Sequence, residues 1–202
     1  MNGNTYNSID IEFYGSYYPL LKEAINKITS FINEYSETAV NSGRRDPIEH
    51  IKSRIKSYSS TKAKLSDRRI EPSAVNAITA IHDAAGLRVV CTFIDDIYEL
   101  AESLRNNADI RIIMEKDYIR NPKPNGYRSY HMIVGIDKGD VVIPVEIQLR
   151  SVAMDCWAAL EHQIKYKRDI KHVEFIEAEL KKCSDDLALM DINLQVIRDI
   201  LE

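Results

Sequence analysis

The chain has 202 residues and a formal net charge of -4. That is long enough for one sizeable core, and it lacks the basic excess usual in general nucleic-acid binders. No apolar run approaches the roughly 20 residues that span a bilayer, and MNGNTYNSIDIEFYG has neither the basic nor the apolar part of a leader, so a cytoplasmic address is expected. Cys91, Cys156 and Cys183 are widely spaced in apolar surroundings and read as reduced core thiols, not a disulfide framework or a metal site.

Tyr18, Leu21, Ile25, Ile28, Ile32 and Tyr35 recur every three or four residues, which predicts an amphipathic helix over 17–35. SETAVNSGRRDP then reads as a loop, with Gly43 and Pro47 as breakers. In IEHIKSRIKSYSSTKAKL, Ile51 and Ile55 suit a strand or a helix equally. As a strand the segment would set His50, Lys52, Arg54 and Lys56 on one face. Such a face is either simply solvated or waits for an anion, because the groups otherwise repel. Ser59 or Ser60 would cap a short helix through Leu65. Pro72-Ser73 opens the next helix, with Val75, Ile78 and Ile81 as its stripe and Gly86 as its breaker. LRVVCTF is a buried strand. Asp83 and Arg88 therefore flank a helix-to-strand junction, where a crevice opens.

Ile97, Leu100, Ala101 and Leu104 define a further helix, and 109–115 a strand with Ile110, Ile112 and Met114 inward. NPKPNG is a loop, YRSYHMIVGI a strand, and DKGD a turn into VVIPVEIQLR. That last strand alternates strictly. Val141, Ile143, Val145, Ile147 and Leu149 share one face, and Pro144, Glu146, Gln148 and Arg150 the other. Ser151 starts a helix with Asp155 at its positive end and Ala153, Trp157, Leu160 and Ile164 buried. The tail keeps heptad spacing through Val173, Ile176, Leu180, Cys183, Leu187, Met190, Leu194, Ile197 and Leu201. Leu189, Ile192, Val196 and Ile200 add a second stripe. The helix over 17–35 is expected to cover one stripe, which leaves the other for a second subunit.

Asp83 at the junction, Glu146 on the sheet face and Glu161 on the next helix are the carboxylates that stand out. Asp83 and Glu146 form the better pair for a hard cation such as Mg²⁺, since each flanks a strand edge. The chain has no GxxxxGK[ST] loop, GxGxxG turn or HExxH helix. Three blocks nevertheless carry a resemblance: DAAGLR (83–88), KDYIRNPKPNGYRSYH (116–131) and VEIQLRSVAMDCWAALEH (145–162). In this order they resemble the synthetase domain of the RelA/SpoT family, above all its single-domain members, the small alarmone synthetases. The similarity covers about 47–167.

The resemblance implies an α+β fold with a mixed sheet of about five strands flanked by helices, nucleotidyltransferase-like. N- and C-terminal helices would serve oligomerisation. The chain then divides into an N-terminal helix and loop (1–46), the synthetase domain (47–168) and a C-terminal helix (169–202). It would transfer pyrophosphate from ATP to the 3′-hydroxyl of GDP or GTP, releasing AMP, without the hydrolase and regulatory regions of long family members.

Carried over residue by residue, Arg54 and Arg88 would stack on adenine, and Lys56 and Lys62 would hold ATP phosphates. Asp83 would bind Mg²⁺, and Glu146 would share the metal or take the proton. Tyr127 would stack on guanine, with Lys123, Asn125, Arg128, His131, Gln148 and Glu161 completing the acceptor pocket. A homotetramer and an alarmone or RNA regulator are further implications. Ser53 and Asp155, where some relatives carry glycine and asparagine, depart from the pattern near the regulatory region. Two rivals remain: a nucleotidyltransferase moving AMP, which usually shows a Gly-Ser turn and paired aspartates, and a non-catalytic module binding nucleotide or single-stranded RNA.

Overall fold

The computed structural model describes residues 8–165 and 172–201, and the expected boundary at 168/169 lies outside them. The alternating strand Val141–Ser151, β5, is central in a five-stranded mixed sheet. The strand order is β1 (Ile48–Ile55), β2 (Ala85–Cys91), β5, β4 (Tyr130–Lys138), β3 (Arg111–Asp117). β2 and β5 run parallel, and every other neighbouring pair is antiparallel.

One sheet face is the floor of the core. Ile143, Val145, Ile147 and Leu149 are fully buried, together with Leu87 and Val89 of β2 and Met132 and Val134 of β4. Against them lie Leu21, Ile25, Ile28 and Ile32 of α2 (Tyr17–Asn41) and Ile97, Leu100 and Leu104 of α5 (Ile94–Arg105). Each such side chain contributes about 1.5–3 kcal/mol of burial. α1 (Ser8–Tyr14), α3 (Tyr58–Asp67) and α4 (Ala74–Thr79) lie on the N-terminal side, while α6 (Val152–Lys165) and α7 (Val173–Leu201) follow β5.

Long-range packing decides one open reading and corrects several expectations. Ile48–Ile55 is a strand because pairing with β2 satisfies its backbone groups. α2 continues through Ser36–Asn41, since Ala39 still finds a buried place; the chain turns only at Gly43, with φ +85°. α3 is capped by Ser57 instead of Ser59 or Ser60. α4 starts at Ser73 as expected but stops at Thr79, and Gly86 belongs to β2. Val75 is exposed. A register shift between Ile112 and Met114 turns Met114 outward. Leu160 and Ile164 are exposed on α6, as are Cys156 and Cys183; Cys91 alone is a core thiol, its pKa pushed up by burial.

α7 departs furthest from the expected arrangement. It packs on α6 and α5, while α2 is engaged by the sheet. Its inward residues are the polar Ser184 and Asp191, and Leu180 offers its carbonyl to the Trp157 indole at 2.8 Å. Val173, Met190, Leu194, Ile197 and Leu201 of the heptad seam are exposed, and so are Leu189, Ile192, Val196 and Ile200.

Candidate active site

The sheet face opposite the core carries the polar half of the alternation. Strand register places Lys52 beside Arg88, Arg88 beside Gln148, Gln148 beside His131 and His131 beside Lys116, a row crossing all five strands. In the neighbouring row Arg54 faces Gly86, and Gly86 faces Glu146. Since same-face side chains on paired strands lie side by side, the register itself assembles the site. Above it lies a cavity of about 540 Å³. Five cations line it, Lys52, Arg54, Arg88, Lys123 and Arg150, with two carboxylates, Asp83 and Glu146. Such a lining suits a polyanion.

Asp83 enters from the short link before β2. His82 precedes it with φ +55°, its Nδ1 3.0 Å from the Ile78 carbonyl. Burial would raise the Asp83 carboxyl, but hydrogen bonds from Lys56 (2.8 Å) and Lys64 outweigh it and hold the pKa below the ordinary value. Both lysines bind Oδ2; Oδ1 is buried with no hydrogen-bond partner among the described residues. Lys62 is not in this cluster. It is exposed, 5.7 Å from the Tyr58 ring centroid, because the cap at Ser57 phases α3 so that Thr61, Lys64 and Leu65 turn inward.

The far end is an aromatic and imidazole cluster. The Tyr127 ring lies 4.8 Å from the Lys123 ammonium and 5.2 Å from the Arg150 guanidinium. Arg150 Nη2 donates to the Tyr127 hydroxyl at 2.9 Å, and that hydroxyl lies 2.8 Å from His131 Nε2. Burial, with help from Lys123 and Arg150, lowers the His131 pKa to about 4. The ring is therefore neutral near pH 7, hydrogen-bonded through Nε2 to the Tyr127 hydroxyl, and the 3.8 Å approach to Glu146 is not an ion pair. Glu146 accepts from Gln148 Nε2 at 2.9 Å.

Asp83, Arg54, Arg88, Lys123, Tyr127, His131, Glu146 and Gln148 thus meet around one cavity, with Lys56 just behind Asp83. Besides Lys62, three expected members stand elsewhere. Asn125 and Glu161 bond each other at 3.2 Å, and Arg128 turns to α7, where it donates to Ser184 and Asp185. Lys52, Lys64, Arg150 and Asp155 were not among the expected site residues. Arg150 ends the Glu146–Gln148 face, so its alternation was a usable signal. It is 4 % exposed and donates to Asp155 at 2.8 Å, and Asp155 also pairs with Arg88 at 3.4 Å. Asp155 is thus a bridge between two arginines as well as a first-turn acid.

Residues 53–171 match the model of the region found in RelA / SpoT proteins. The chain is 42% identical over 150 residues to the Bacillus subtilis GTP pyrophosphokinase YwaC, covering 72% of this chain and 71% of the relative. It superposes on small alarmone synthetase 1 from Bacillus subtilis bound to its product pppGpp with a TM-score of 0.84 and 28% identity, over 96% of this chain and all of that one. The same synthetase bound to AMPCPP gives 0.76 and 27% identity, over 95% and 98% of the two chains. The five-stranded mixed sheet, the cavity on its polar face and these matches together make the chain a member of the RelA/SpoT family.

Proposed function

We propose that the chain is a GTP pyrophosphokinase, moving the β,γ-pyrophosphate of ATP to the 3′-oxygen of GDP or GTP. The observation that carries this is one shared cavity, with an arginine pair at one end, Tyr127 at the other and Glu146 between them, in a RelA/SpoT chain. Arg54 and Arg88 hold adenine by their guanidinium planes. Lys56 and Lys64 keep Asp83 ionised beside the phosphates. Tyr127 stacks on guanine. A base arriving there displaces the Lys123 ammonium from the ring towards the acceptor's phosphates.

The 3′-oxygen forms a bond to the β-phosphorus as the bond from that phosphorus to the α–β bridging oxygen breaks. AMP leaves with the bridging oxygen, and Glu146 takes the hydroxyl proton. The chain's own part is alignment, charge neutralisation and proton removal.

Asp83 and Glu146 fit a divalent cation: both are hard oxygen donors on the cavity wall, and Asp83 keeps one buried oxygen without a hydrogen bond. The described residues hold no cluster of three or more His, Cys, Asp or Glu side chains, and a metal here would be held by these two carboxylates together with the phosphates. Bound Mg²⁺ would neutralise the triphosphate and polarise its oxygens.

Incubation with ATP labelled in its β- and γ-phosphates, GDP and Mg²⁺ tests the reading. Labelled pyrophosphate on guanosine supports it. AMP transfer, or binding without turnover, overturns it. No described helix is long and apolar enough to cross a membrane. The proposed reaction, which draws on the ATP and GDP pools, calls for a cytoplasmic setting.

The exposed apolar face of α7 supports a homo-oligomer, and we assign a homotetramer. Exposing Leu189, Ile192, Val196 and Ile200 would forgo about 6–12 kcal/mol of burial per subunit. Light scattering should report about four times the 23.2 kDa chain mass. Ile192→Asp with Val196→Asp should dissociate the assembly; a monodisperse dimer for the unaltered chain would refute the tetramer, and a monomer would refute assembly altogether.

A further inference from the structure

The loop that carries Tyr127 is tied to α7 on both sides of that residue. Ser184 Oγ donates to the Gly126 carbonyl at 2.5 Å, and Arg128 Nη1 donates to Ser184 Oγ at 2.6 Å and to the same carbonyl at 3.2 Å. Arg128 Nη2 donates to Asp185 at 2.9 Å. Gly126 has φ +91°, and a Cβ there would come within 2.8 Å of the Ser184 Cβ, so the loop backbone lies directly on the helix. Inside the loop, the Gly126 amide bonds the Lys123 carbonyl at 2.8 Å and the Lys123 amide bonds the Tyr127 carbonyl at 3.1 Å. Anything that fixes Gly126 and Arg128 therefore fixes Lys123 and Tyr127 as well. Ser184 is one of the two inward polar residues of a helix whose apolar side chains mostly face outward.

We infer that Ser184, Asp185 and Arg128 are positioning residues through which α7 holds the Lys123–Tyr127 loop over the cavity, so that α7 sets affinity for the guanine nucleotide and not for ATP. The link is selective because Arg54 and Arg88 stand on β1 and β2, while Tyr127 and Lys123 precede β4. Arg128 thus acts on the acceptor without touching it. The guanine assignment rests on the function proposed above; the mechanical link does not.

Two readouts keep these apart. Titration calorimetry with GDP and with a non-hydrolysable ATP analogue compares the unaltered chain with Ser184→Ala/Asp185→Asn. GDP affinity should fall about tenfold, the scale of losing hydrogen bonds to a charged group, with the analogue unchanged. Asp185→Glu, with Ser184 intact, should bind GDP almost normally. Asp186→Asn, which removes a charge from an exposed neighbouring position, should have no effect. Hydrogen exchange supplies the second readout: the Gly126 and Tyr127 amides should exchange faster in the double variant, with β5 unchanged. Unchanged GDP affinity in a chain that binds GDP, or equal loss of both nucleotides, overturns the inference, as does unchanged loop exchange. If the unaltered chain binds neither nucleotide, the proposed function falls, while faster loop exchange would still uphold the role of α7.

Discussion

Arg54 and Arg88 reach the cavity from paired strands, whereas Tyr127 and Lys123 reach it from a loop leaned against α6 and α7. The strand-borne arginines are placed by the strand ladder, and Arg88 has one further partner, Asp155 at the start of α6. The loop-borne pair depends on side chains some 58 residues away in sequence, such as Ser184 on Gly126. A site built this way can keep its donor end rigid while its acceptor end answers to the rest of the molecule. Loops of few buried apolar contacts are also where local opening is easiest.

The comparison breaks most sharply where the two halves meet. Glu146→Gln should leave both nucleotides bound and the fold intact, with turnover falling about 10²- to 10⁴-fold, the usual cost of a lost general base. Single-turnover measurements at saturating substrates check this. Near-normal kcat would remove Glu146 from the proton transfer.

On the acceptor side alone, Tyr127→Ala should weaken GDP by about five- to 150-fold, since an aromatic–base stack is worth about 1–3 kcal/mol. ATP affinity should hardly change. Tyr127→Phe keeps the ring and loses the bond to Arg150, so most of the affinity should survive. Binding titrations of both variants distinguish stacking from the hydroxyl network.

On the donor side, Lys64→Ala should raise the ATP KM by about tenfold, since it strips a charge-assisted bond from Asp83. Lys62→Ala should leave the KM within twofold. Reversal of that order would mean α3 sits in a different helical phase.

The last expected effect is on stability and not on catalysis, a pH dependence from the acceptor side. An unfolded chain protonates its histidines near pH 6.5, but folded His131 resists until about pH 4. Between those values the unfolded state binds more protons, so stability falls as pH falls from about 6.5 to 4, by up to about 1.4 kcal/mol per unit. Urea midpoints at pH 7 and 5 should separate more for the unaltered chain than for His131→Gln.

Much of this was legible in the residues. The strict alternation of β5 placed Glu146, Gln148 and Arg150 opposite a wholly apolar face, because a period of two admits no other arrangement. The blocks around NPKPNGYRSYH and EIQLR carried the family and, with it, eight residues that line one cavity. α5 was plain from its stripe, because its apolar positions meet a single surface.

Tertiary structure alone decided the rest. Whether Lys62 or Lys64 meets Asp83 depended on where α3 starts, and one residue of phase rotates a side chain by about 100°. The resemblance set Arg128 among the acceptor contacts, yet its partners lie on α7, more than 50 residues onward. The heptad seam promised an internal partner for α7, but α2 was engaged by the sheet, and the helix docked instead through Ser184 and Asp191. Periodicity is local and names a face; which surface meets that face is settled by distant segments competing for the same core.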